Sequence, residues 1–205
     1  MSTSFLNAMG IQTWELRKPT CAQPWEELQK TVSRCTACSL HKTRTQTVFG
    51  VGNPQAKLMV IGEAPGFYED QKGEPFVGRA GQLLDAMLAA IGLDRKTIYI
   101  ANILKCRPPN NRDPLPEEVA QCTPFLIQQI SFIQPKLLLA VGRIAGQYLL
   151  GSALSLGKMR NTIHHYENTP LIVTYHPAYL LRNPRDKDKA FLDLQLAYRT
   201  LHSLL

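Results

Sequence analysis

Four short apolar runs constrain this chain more than any other feature. They are Lys57-Leu58-Met59-Val60-Ile61-Gly62, Ile98-Tyr99-Ile100-Ala101-Asn102, Lys136-Leu137-Leu138-Leu139-Ala140-Val141-Gly142 and Leu171-Ile172-Val173-Thr174-Tyr175. Near-continuous apolar character marks strands buried on both faces, which is the habit of parallel sheets. Helical patterns lie between and around them. Gly78 to Ile91 places Leu83, Leu84, Met87, Leu88 and Ile91 on one face, and Gly92 is a natural C-terminal stop. Pro116-Glu117-Glu118 opens a helix that ends before Pro135, Arg143 to Leu150 forms a short one, and Asp186 to Leu205 a terminal one. A further helix is expected from Pro24 to about Arg34. Alternation of this kind predicts a three-layer α/β/α sandwich around a central, mostly parallel four-stranded sheet. Residues 1–24 read as an irregular arm, and 25–205 as a single domain.

Composition sets the class. Hydrophobic residues make up 44% and charged residues 19% of 205, as in a globular chain with a sizeable core. No apolar run approaches the ~18 residues of a membrane span. The N-terminal stretch lacks the early cation and apolar core of a secretory signal, so a reducing, cytoplasmic setting is expected. In that setting clustered cysteines favour metal binding over disulfides. The net charge of +7 permits contact with a polyanion such as nucleic acid.

In open parallel sheets, ligands bind beyond the carboxyl ends of the strands. The strands here end in Gly62-Glu63-Ala64-Pro65-Gly66, Asn102, Gly142-Arg143 and His176-Pro177. A carboxylate, an amide and an imidazole should therefore converge on one sheet edge. A second constellation is Cys35 and Cys38 in a C-x2-C, with Cys106 and Cys122 far along the chain. Two distant thiol pairs suggest one four-thiolate site, and spacing alone allows either zinc or an iron–sulfur cluster. Cys21 has no partner in this pattern.

G-E-A-P-G, then E-D, then G-E-P-F-V-G-R-A-G-Q-L-L, then N-I-L-K-C-R-P-P and H-P-A-Y-L-L-R occur in that order. Together with the four cysteines they resemble the family 4 uracil-DNA glycosylases, the iron–sulfur branch of that superfamily. The resemblance runs from about Cys35 to the C-terminus. It implies an enzyme that flips uracil out of DNA and hydrolyses its N-glycosidic bond, with no lyase step. It implies one structural 4Fe-4S cluster on Cys35, Cys38, Cys106 and Cys122, with zinc as the alternative occupant. It further implies that Gly62, Ala64, Phe76 and Asn102 form the base pocket, Asn102 reading the uracil edge and Phe76 stacking on the ring. His176 would stabilise the departing base, and Glu63 would position water or support the sugar cation.

Two departures stand out. Better-known uracil-DNA glycosylases carry an aspartate where this chain has Ala64, which cannot act as a base. Acidic residues are common in the family where this chain has Phe67 and Tyr68. Glu69 and Asp70 are weaker carboxylate candidates. Leu180 or Leu181 could wedge into the gap left by a flipped base, and Arg182, Arg185, Lys105, Arg107 and Arg112 could hold phosphates. The partner implied is uracil-containing DNA, single- or double-stranded, bound by a monomer. Two other classes fit the cysteines: a non-enzymatic, cluster-stabilised DNA-binding module, and an iron–sulfur electron carrier.

Overall fold

The computed structural model describes residues 25–205; Cys21 and the expected arm lie outside them. The elements run α1 (Trp25–Ser33), β1 (Val51–Gly52), β2 (Leu58–Gly62), α2 (Phe67–Lys72), α3 (Arg79–Ala89), β3 (Tyr99–Asn102), α4 (Pro116–Ile133), β4 (Leu137–Val141), α5 (Arg143–Leu150), α6 (Leu156–Met159), β5 (His164–Tyr166), β6 (Thr169–Thr174), α7 (Pro177–Arg182) and α8 (Lys187–Ser203). The sheet order is β1-β3-β2-β4-β6-β5.

The four expected strands are the four central ones, all parallel. Side-chain alternation divides their residues between two cores. Leu58, Val60, Ile100, Leu139 and Ile172 face Leu84, Leu88, Leu180 and Leu194 of α3, α7 and α8. Met59, Ile61, Ala101, Leu138 and Val173 face Leu126, Ile130, Ala145 and Leu149 of α4 and α5. Both faces are covered, which is why the strand sequences lack polar alternation.

The sheet has six strands rather than four. Two- and three-residue edges, β1 on β3 and β5 on β6, are added antiparallel. Their residues are half-exposed or exposed, so no apolar run announces them. Gly52 in β1 has φ +122, and a Cβ there would lie 2.1 Å from the Ile98 carbonyl oxygen. The short helices α2, α6 and α7 are further elements beyond the helices expected from the sequence.

The end of β6 is fixed by a buried carboxylate. Asp193 of α8 accepts from Thr174 Oγ1 (2.8 Å), the Asn161 backbone N–H (3.1 Å) and the Arg160 guanidinium (2.7 and 3.0 Å). Arg160 in turn lies over the Tyr175 ring at 4.3 Å, and Tyr175 stacks on Tyr179 at 5.2 Å. Asp193 thus holds the segment that leads into His176. The ion pair is dry, with side chains 10% and 0% exposed. Replacing Asp193 by Ala leaves a buried guanidinium unpaired, and urea unfolding should show a loss of about 3–5 kcal/mol.

Candidate active site

The parallel register pairs Gly62 with Asn102 at adjacent strand ends. The pairing continues past the strands: the Ile103 N–H donates to the Gly62 carbonyl (3.0 Å) and the Leu104 N–H to that of Glu63 (3.1 Å). The Asn102 amide lies directly over Gly62. A Cβ at Gly62 would sit 2.3 Å from Asn102 Oδ1 and 2.7 Å from the Phe76 ring, so only a glycine leaves room here. Asn102 is 2% exposed, and its Oδ1 has no hydrogen-bond partner among the described residues. An unmade buried hydrogen bond costs about 1–3 kcal/mol, so this acceptor is suited to a donor supplied from outside.

Phe76 forms the opposite wall. Its backbone is left-handed, at φ 55. Arg95 holds it there, donating to the carbonyls of Pro75 and Phe76 while paired with Asp85. Gly81 of α3 passes so close that a Cβ would collide with the Phe76 carbonyl.

His176 caps α7. Its Nδ1 accepts from the Ala178 N–H at 3.1 Å, which leaves Nε2 to carry the proton. Burial, and secondarily the Arg182 charge, push its pKa down to about 4, against the opposing pull of Glu69. The imidazole is therefore a neutral N–H donor at pH 7. Its ring lies 5.7 Å from that of Phe76. Gly142, at φ +104, lets the β4 end approach: a Cβ there would lie 3.1 Å from His176 Cβ.

These groups share a cavity of about 440 Å³ with Glu63, Ala64 and Asp113. Burial raises the Glu63 pKa to about 7, the Asp113 charge adds to the shift, and Arg143 opposes it. Asp113 and Tyr179 line the same cavity, and neither is singled out by the sequence. Asp113 lies just beyond the N-I-L-K-C-R-P-P motif, but nothing in its spacing announces its proximity to Glu63.

Several expectations need correction. Leu180 is fully buried in the core beneath α7 and cannot reach DNA, whereas its neighbour Leu181 is exposed. Helical geometry turns one inward and the other outward. Lys105 is buried, donating to the Asn102 carbonyl (2.8 Å) and Gln129 Oε1 (2.6 Å), so it braces the pocket instead of meeting phosphate. Arg112 is paired through both terminal nitrogens with the buried Glu118. Glu69 accepts from the N–H groups of Gly66, Val77 and Gly78, and Asp70 from that of Thr45, so both carboxylates staple loops. Arg182 is exposed at the cavity mouth, and Arg107 lies nearby over the Phe67 ring.

The thiols gather below this site. Cys106 and Cys122 are buried in an apolar cluster with Leu40 and Leu104, against which Cys38 packs. Cys106 Sγ accepts from Arg44 (3.0 Å), and Cys122 Sγ from the Lys105 N–H (3.2 Å). Among the described residues, no three His, Cys, Asp or Glu side chains converge tightly enough to hold a single metal ion.

Protonation of Glu63 is linked to stability. Its folded pKa lies above the ordinary 4.5, so the folded state binds more protons than the unfolded one between pH 4.5 and about 7. Glu63 therefore costs stability progressively as pH rises through that window. NMR titration of its carboxyl carbon should give a midpoint near 7, and Asp113→Asn should lower it.

Residues 49–198 match the family model described as the uracil DNA glycosylase superfamily. The type-4 uracil-DNA glycosylase of Archaeoglobus fulgidus is 42% identical over 172 residues, covering 80% of this chain and 86% of the relative. That of Thermotoga maritima is 47% identical over 164 residues, covering 77% and 85%. A type-5 uracil-DNA glycosylase from Thermus thermophilus is 29% identical over 148 residues, covering 62% and 67%. A pocket built around an unpartnered amide oxygen, on a sheet with this order of motifs, accords with those matches: the chain belongs to the uracil-DNA glycosylase superfamily, in its type-4 branch.

Proposed function

We propose that this DNA-repair glycosylase reads uracil with Asn102, stabilises its departure with His176 and supports hydrolysis with Glu63. The observation that carries the reading is the unpartnered Oδ1 of Asn102, buried beside Phe76 and facing the cavity. Uracil presents an N3–H donor next to a carbonyl acceptor, and an amide supplies both complements. A flipped base would lie against Phe76, where the ring contributes affinity and the amide selectivity. Thymine and cytosine serve as controls in a uracil-release assay. Loss of uracil selectivity in Asn102→Ala is expected, and unchanged selectivity would remove Asn102 from its role.

As the N-glycosidic bond breaks, its electron pair moves to the base and negative charge collects on the uracil O2. The neutral His176 donates Nε2–H toward that oxygen. Its low pKa means no proton must first be shed at pH 7. Positive charge collects on the sugar, where the Glu63 carboxylate can oppose it and orient water for attack at C1′. The products are free uracil and an abasic site. Among the described residues no lysine lines the cavity to form a Schiff base, in keeping with a monofunctional enzyme.

We assign a structural 4Fe-4S cluster to Cys35, Cys38, Cys106 and Cys122. Two observations fit: buried sulfurs in an apolar surround, and N–H donors aimed at two of them, as thiolate ligands accept. Such a cluster would tie the C-x2-C to the segment that presents Asn102. The hydrolysis moves no electrons, so redox chemistry is not required of it. Uracil-containing DNA is the substrate class.

Three outcomes test these roles. His176→Ala should slow single-turnover cleavage by roughly 10²–10³-fold, the cost of losing one oxyanion donor. The acid limb of kcat/KM should fall with an apparent pKa near 7, as Glu63 must be ionised, and should disappear in Glu63→Gln. His176, with a pKa of about 4, should add no second limb above pH 5. Cys106→Ala should lose the visible absorbance of purified protein, and a spectrum unchanged from the parent would remove Cys106 from the ligand set.

A further inference from the structure

Phe67 and Tyr68 are the most exposed large aromatic side chains among the described residues, at 50% and 63%. They sit at the start of α2, between the cavity-lining residues Gly66 and Glu69. Their rings pair edge-on at 5.4 Å, and Tyr68 also packs beside Gly78, next to the loop that carries Phe76. On the far side the Arg107 guanidinium lies 5.0 Å over the Phe67 ring, with its Nε donating to Asn111 Oδ1 at 2.7 Å. Pro108 and Asn111 line the cavity too, so this cation stands at the rim. The neighbouring exposed ring of Tyr179 is engaged, stacked on Tyr175.

Two adjacent rings left in solvent at the mouth of a pocket are not explained by packing, since neither reaches the core. Nor are they held by the base pocket, which Phe76 already walls. Aromatic faces flanked by a cation suit the stacking of unpaired nucleobases, because every base has a π-face and the adjoining phosphate meets the positive charge. In a duplex the flanking bases stay paired and stacked on their outer neighbours, and the face bared by flipping points into the helix gap and not outward to the rim.

We propose that Phe67, Tyr68 and Arg107 form a stacking platform for the unpaired bases beside the flipped uracil, so that this chain binds single-stranded substrate through contacts a duplex cannot make. The proposal rests on the uracil-reading role of the adjacent cavity and extends it to the flanking strand. The pairing of Phe67 with Arg107 predicts that the two act as a unit, the guanidinium holding the ring face outward.

The test uses the cluster-loaded full chain and its Phe67→Leu, Tyr68→Leu and double variants, which keep apolar bulk but remove the rings. Binding is read from the fluorescence of 2-aminopurine in a uracil-free single strand, and cleavage from steady-state uracil release on single- and double-stranded substrates. The parent should quench 2-aminopurine, and the double variant should not. Each single variant should raise KM for the single strand at least about 5-fold with kcat within about 2-fold, the loss expected of one stacked base, while KM for duplex moves less. Persistent quenching in the double variant, an unchanged single-strand KM, or equal rises on both substrates would overturn the proposal. Unaltered melting temperatures establish that the variants are folded. Failure of the uracil-reading role itself would register differently, as no uracil release by the parent on either substrate, while the quenching arm needs no uracil.

Discussion

The parallel pairing of β2 with β3 is the constraint on which the site depends. It sets Gly62 against Asn102, lays the amide over the one residue type that leaves room for it, and carries Glu63 past the strand end on the same edge. The ladder does not stop at the last strand residue but runs on through Ile103 and Leu104. Lys105, directly after them, returns to the Asn102 carbonyl from a buried position. The backbone that presents the amide is thus held by the strand ladder on one side and by a buried ammonium on the other. Pre-organisation of that kind lets a buried acceptor stay unpaired in the free enzyme without collapsing onto a neighbour.

Two of the ionisable groups that line the cavity, Glu63 and His176, are driven apart in character by a common cause. Burial lowers the His176 pKa and raises that of Glu63, because it disfavours the charged form of each. For the imidazole this suits the donor role proposed for it, since a neutral ring with Nδ1 accepting keeps its proton on Nε2. For Glu63 it leaves a carboxylate poised near neutrality, sensitive to Asp113 and Arg143. Ala64 brings no carboxylate to this loop, so the acidic groups that line the cavity are Glu63, Glu69 and Asp113.

Much of this was legible from residues. Strands buried on both faces read as Leu-Met-Val-Ile and Leu-Leu-Leu-Ala-Val runs because neither face meets water, and Gly62, Asn102 and His176 are located by where those runs stop. Local chemistry that depends on tertiary partners was not legible. Lys105 and Arg112 look like phosphate ligands in sequence, yet each is engaged within the fold, Lys105 by Gln129 and Arg112 by Glu118. Leu180 and Leu181 are indistinguishable by residue type, and only the phase of a six-residue helix assigns one to the core. The edge strands β1 and β5 are too short for periodicity to register. Asp113 reaches the cavity through the loop between Cys106 and Cys122, whose path no local pattern specifies.

The role proposed for Asn102 is that its Oδ1 accepts the N3–H of uracil. It is tested most directly by comparing single-turnover cleavage of deoxyuridine with that of N3-methyldeoxyuridine in the same strand, by the parent and by Asn102→Ala. A site built to bond a donor rejects an analogue lacking it by up to about 10⁴-fold. The parent should discriminate strongly, and the variant, which has no acceptor to leave unpaired and more space for the methyl group, should lose most of that ratio. The same ratio in both proteins would mean that Asn102 Oδ1 does not bond the N3–H.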